Sequence, residues 1–349
     1  MTARAVVIGC GGTIGGAWTV AVLQALSEQL DWDPRAATLI QGTSAGAELA
    51  VLLGGGIAVH ELVAMERGAA ADPRLRAHYA AAPPSLPPLP SPRLLNPRLL
   101  RTQRGLAALA GISPIGRGDA GWLRRLAESL TEGGEWLPHK GTRMVAVDAR
   151  TGERVVFGAP GAPRVSVATA LTASWGVPGW MPPVHAAGTV FIDGGAASTA
   201  SLDLVPTAGL DEIYLIAPMA SPTRARIPGA AGILEDRLLR RPMTAVLDAE
   251  IAGLRGPRLV TICPGRADLA GLPPNFMDRG RRREAFESAM RTAPATVAAA
   301  LAFSDGEQTP GGCPCEPQAA DEQRDSRRDP VPQERAGIGA GGGDRGAGQ

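Results

Sequence analysis

The chain has 349 residues, 44% of them hydrophobic and 20% charged, which is ample material for a buried core. Thirty-five basic against 34 acidic residues leave a formal charge of +1, a balance that gives no electrostatic case for a dedicated nucleic-acid binder. Cysteines at 10, 263, 313 and 315 lack the spacing of a disulfide framework, and no apolar run of about 18 residues spans a membrane.

Residues 5–8 form a short apolar strand, too short for a secretory leader, so a cytoplasmic protein is expected. The strand runs into Gly9-Cys10-Gly11-Gly12-Thr13-Ile14-Gly15-Gly16. Glycines there turn backbone N–H groups toward one point, and the following helix, 17–29 with Val20, Leu23, Leu26 and Leu30, adds partial positive charge. Such a loop holds a phosphate, stabilises an oxyanion, or is simply a tight turn. The dinucleotide fingerprint fails because position 14 is Ile and the second strand, 38–41, ends at Gln41; a Walker loop is absent.

Directly after that strand comes Gly42-Thr43-Ser44-Ala45-Gly46, and an apolar helix follows over 45–53. A serine between small residues at a strand-to-helix turn is the nucleophile-elbow pattern. Residues 83–97 then hold seven prolines, which suit neither helix nor central strand. They belong to an insertion over 80–118 whose leucines (Leu86, Leu89, Leu94, Leu95, Leu99, Leu100) either rim an acyl site as a lid or pack on the core.

Further strands are expected at 143–148, 154–157, 190–192, 212–217 and 259–263, and late helices at 234–254, interrupted by Pro242, and 282–303. Strands alternating with helices argue for an α/β domain over 1–303 with a largely parallel sheet. Residues 304–349 contain only Val331 and Ile338 as branched aliphatics and no aromatic residue, so a disordered tail is expected. Cys313 and Cys315 lie in it without the further ligands a metal needs.

A serine nucleophile needs a base. No histidine follows Asp193, so an order Ser44…Asp193…His cannot exist, whereas Ser44…Asp148…His185 can. Asp193 itself, at the end of an apolar strand and followed by Gly194 and Gly195, is placed to project into a site as a base without imidazole. Asp-Gly-Gly alone is more often a turn.

The glycine loop, GTSAG and DGG stand in the order and spacing of the patatin-like phospholipases, which the chain resembles. Residues 173–184 (ASWGVPGWMPPV) are similar to that family's A-S-x-x-x-P-x-x-x-P-P segment, and 142–157 to its strand–turn–strand. The resemblance spans about 5–217 and implies a three-layer α/β/α fold and a Ser–Asp dyad acting on acyl esters of lipids. Carried over, Ser44 is the nucleophile, Asp193 the base, and Gly11, Gly12 and Thr13 offer oxyanion-hole N–H groups. Gly42 and Gly46 shape the elbow, and Gly194 and Gly195 support the aspartate.

No metal or organic cofactor is then needed; the partner is a lipid or other acyl ester, with transient contact at a membrane surface. One departure is Gly15, where many members carry Arg or Lys. Trp175 and Trp180 flank the expected site, and Arg279, Arg281, Arg282 and Arg283 read as a solvated face. The rivals are a catalytically silent patatin-like fold that binds lipid or protein, and a nucleotide-binding α/β protein.

Overall fold

The computed structural model describes residues 2–103, 105–131, 133–221 and 225–305. Among these residues eight strands make one sheet: β1 (Arg4–Ile8), β2 (Leu39–Thr43), β3 (Thr142–Asp148), β4 (Arg154–Phe157), β5 (Val184–Ala186), β6 (Thr189–Asp193), β7 (Glu212–Ile216) and β8 (Arg258–Ile262). Along the sheet the order is β5-β6-β3-β2-β1-β7-β8, with β4 paired to β3. Strands β3, β2, β1, β7 and β8 run parallel, while β4 and β6 pair antiparallel with β3.

Helices in the first half are α1 (Gly12–Leu30), α2 (Ala45–Gly54), α3 (Val59–Glu66), α4 (Pro73–Ala80), α5 (Leu99–Thr102), α6 (Gly105–Gly111) and α7 (Gly121–Thr131). The second half adds α8 (Val167–Ser174), α9 (Gly229–Glu235), α10 (Arg241–Gly253), α11 (Arg266–Gly271) and α12 (Arg282–Asp305).

Alternation along β1 divides the core between the two faces of the sheet. Val6 and Ile8 join the larger cluster, packed under α1, α2, α3, α7, α8 and α12. Ala5 and Val7 join a smaller one with Leu202, Val205 and the α10 residue Leu247. A central, mainly parallel sheet buried on both faces gives the three-layer α/β/α architecture that the resemblance implies.

Two of the boundary shifts have a clear packing reason. Helix α1 begins at Gly12, inside the glycine run, because Gly11 and Gly15 let it close on Pro218. Strand β2 continues to Thr43 because its pairing with β3 continues through Gly42↔Met144 and Thr43↔Val145. The interruption at Pro242 takes the form of a π-helical turn, Asp236–Arg240, that ends as α10 begins. Helix α12 extends two residues past the expected tail boundary; the tail from 306, with Cys313 and Cys315, lies outside the described residues.

Candidate active site

Strand β3 sets the geometry. Its 144–147 stretch pairs with β4 along one edge, so β2 and β6 share the other. Strand β2 climbs that edge and stops at Thr43, opposite Val145. Strand β6 descends it and stops at Asp193, opposite Ala146. Two strands of opposite direction thus end on neighbouring rungs, and Ser44 and Asp193 meet between their tips.

The elbow is strained. Ser44 has φ 59° and ψ −123°, a conformation that non-glycine residues rarely adopt. A Cβ on Gly42 would lie 2.5 Å from the Ala47 nitrogen, and one on Gly46 would overlap the Ile8 carbonyl, so both positions exclude side chains. Although Ser44 caps α2, its side chain makes no capping hydrogen bond. Its hydroxyl instead faces Asp193 closely enough to favour that group's ionised form.

Asp193 is buried, 4% exposed, and accepts a hydrogen bond from the Gly195 N–H on Oδ1 at 2.7 Å. Burial pushes its carboxyl up to about 7, against the opposing pull of the Ser44 hydroxyl and the Gly195 N–H. A carboxylate tuned to that range is suited to take a proton near neutrality.

One further segment aligns both groups. The Ser44 N–H donates to Ser174 Oγ at 3.0 Å, and that hydroxyl donates to the Val145 carbonyl at 2.6 Å. Two residues later the Gly176 carbonyl accepts the Asp193 N–H at 3.0 Å. Sequence reading placed no role on Ser174 or Gly176. Their signal was the Ala-Ser opening of the segment over 173–184.

The glycine loop lies beside this pair. Gly9 and Cys10 donate their N–H groups to Ile216 and Thr199, and Ile14 and Gly15 donate to Phe276 and Gly11. The intervening N–H groups of Gly11, Gly12 and Thr13 have no acceptor among the described residues. Gly12 holds them there at φ +57°, with Phe276 packed closely against it. Gly194 and Gly195 allow the loops to touch: a Cβ on Gly195 would sit 3.1 Å from Cys10 Sγ. Burial, then the neighbouring Asp193, pushes the Cys10 thiol up to about 12, so it stays protonated.

A family model described as patatin-like phospholipase matches residues 6–206, more than half of the chain. The chain belongs to the patatin-like phospholipase family. A solved structure, VipD from Legionella pneumophila, aligns over 85% of this chain and 67% of its own, at 16% identity and a TM-score of 0.38. That likeness is too distant to add to the argument. No curated protein matches the chain.

Other candidates fall elsewhere in this patatin-like chain. His185 lies exposed on β5 and pairs with Val190. Asp148 accepts hydrogen bonds from the Arg150 N–H and the Thr189 hydroxyl, so a Ser44–Asp148–His185 relay is not assembled. Trp175 is core, edge-on to Trp122 with ring centroids 5.4 Å apart, and Trp180 packs near Phe276. The arginine run is solvated except at Arg282, which is buried against Glu66 and stacked on Tyr79.

A Cβ at Gly15 would lie 3.1 Å from that of Pro218, leaving no ready space for the basic residue of other members. Behind Pro218, buried Arg240 donates to its carbonyl at 2.7 Å. Beside the loop is a small, partly open cavity of about 10 Å³, bounded by Thr13, Ala45, Glu48, Trp122, Trp175 and Pro83 among others, with room for about one water. Ser44 itself is only 3% exposed.

Proposed function

We propose that this chain is a serine acyl hydrolase that cleaves carboxylic esters of lipids. Members of its family act on lipid acyl esters in general; the assignment of roles to this chain's residues is our reading. The observation that carries it is a serine on a strained elbow set against a buried carboxyl held near 7, beside three backbone N–H groups with no acceptor among the described residues.

Ser44 Oγ attacks the ester carbonyl carbon while its proton passes to Asp193. The oxyanion is held by the N–H groups of Gly11, Gly12 and Thr13, an interaction whose loss typically costs ~10²–10³ in turnover. Collapse of the intermediate expels the alcohol, which takes the proton from Asp193 and leaves Ser44 acylated. A water then gives a proton to Asp193 and attacks the acyl carbon. Release of the carboxylic acid returns the proton to Ser44.

Phosphate binding by the same loop is disfavoured on two physical grounds. Asp193 is close enough to raise the Cys10 thiol, and such a carboxylate repels an anion. Phe276 also crowds Gly12, where a pyrophosphate would have to approach.

The test is covalent labelling by a fluorescent fluorophosphonate. Wild type labels, and Ser44→Ala and Asp193→Asn do not. A folded wild type that never labels favours the silent fold; labelling that survives Asp193→Asn removes the aspartate from the role of base.

A further inference from the structure

The insertion over 80–118 differs from the rest of the molecule in charge. It contains five arginines and no acidic residue, a charge of +5, so the remainder of a chain with net +1 carries −4. Arg93, Arg98, Arg101 and Arg117 are all exposed, and none forms an ion pair among the described residues.

It differs in hydrophobic exposure too. Among the described residues, six of the ten exposed large apolar side chains fall in it: Leu86, Leu89, Leu94, Leu100, Leu109 and Ile112. Leu86 is 74% and Leu89 88% exposed, so these side chains serve no core. Leu99 does, being buried, and Ala110 and Leu95 pack against Val147 and Ile192 at the sheet edge. The insertion is therefore seated on the domain while its other leucines face outward.

Both of its ends are fastened beside the candidate active site. At one end Arg279 donates to the Ala82 carbonyl at 3.0 Å, and Asn275 to that of Ser85 at 2.9 Å, on either side of Phe276, which packs on Gly12. At the other, the Gly118 N–H donates to the Trp180 carbonyl at 2.8 Å. The Trp180 and Phe276 rings lie 6.2 Å apart, closing the circuit between the two fastenings.

We infer that the insertion is a docking surface for an anionic lipid bilayer, its exposed leucines entering the acyl boundary and its arginines resting on lipid phosphates. Leucines interleaved with unpaired guanidinium groups match the layered chemistry of that interface, apolar below and anionic above. Neither a nucleic acid nor free phosphate uses the leucines. The partner's lipid nature rests on the acyl-hydrolase reading; the docking itself is measured without catalysis.

The experiment is co-sedimentation of full-length Ser44→Ala protein with vesicles of phosphatidylcholine alone or mixed with phosphatidylglycerol. Binding is expected to the mixed vesicles, to weaken with added salt, and to fall roughly fivefold for each arginine replaced by glutamine at 93, 98 or 101. Leu86→Ser with Leu89→Ser lowers binding further. In an otherwise wild-type chain, the same leucine pair leaves hydrolysis of a water-soluble ester unchanged, which shows the fold intact.

Equal binding to both vesicle types, or variants that bind like the parent, overturns the inference. So does a soluble dimer abolished by the leucine pair with no vesicle binding, which makes the patch a protein interface. Failure of wild type to hydrolyse any ester while Ser44→Ala still docks overturns the acyl-hydrolase reading and leaves the docking surface standing.

Discussion

Asp193 is pulled in two directions. Burial favours its neutral form, while the neighbouring Ser44 hydroxyl and Gly195 N–H favour the carboxylate, and burial prevails to set it at about 7. As a base it must be ionised, so kcat/KM for a neutral soluble ester rises with pH and levels off above about 7. Stability runs the other way. The folded state holds this proton more tightly than the unfolded chain, so the contribution is full below the ordinary aspartate value of 3.8 and is lost as pH climbs through about 7. Calorimetry of Asp193→Asn should therefore show its Tm gaining on wild type more at about pH 8 than at about pH 5. Ser174 acts through its neighbours. Ser174→Ala leaves the Ser44 N–H buried without its acceptor, at a cost of about 1–3 kcal/mol. Steady-state kinetics on a soluble ester should show kcat falling on the order of 10²-fold with KM little changed, since the fault is position and not affinity.

The tight places lie where elements cross. Gly46 in α2 passes so close to the Ile8 and Gly9 carbonyls after β1 that Gly46→Ala should cost on the order of 3 kcal/mol, read from the urea midpoint at constant slope. Local signals of this kind were legible in the sequence: a small-residue elbow around Ser44, an aspartate ending an apolar run, and a glycine loop. The start of α1 was not, because glycines are poor helix formers and only packing on Pro218 and Phe276 holds them in or beside the helix. Strand β5 is three residues long, too short to carry a period, and exists through its pairing with β6. Helix α7 does carry helical spacing in Trp122, Leu123, Leu126 and Leu130, which a reading centred on motifs passes over. Hidden from any linear reading was the joining of β2 and β6 along one edge of β3, since an antiparallel strand entering a parallel sheet leaves no trace in either segment.

Across the whole molecule, the long α12 is tied back to α3 by the buried Arg282–Glu66 pair. Breaking a buried pair leaves one charge without compensation, so Arg282→Met alone should lose about 3–5 kcal/mol. Adding Glu66→Leu should recover most of that loss in a denaturant double-mutant cycle. The tips of β2 and β6 have a different consequence. Strand β6 is held to β3 by only three residue pairs, and a slip of one residue would turn the Asp193 side chain to the opposite face of the sheet. Serine and acid approach from opposite chain directions, so slack in either strand opens the gap between them directly. Turnover is then a strain gauge for this corner of the sheet. In a urea titration ester hydrolysis should fade before the fluorescence of buried Trp18 and Trp175 reports loss of the core.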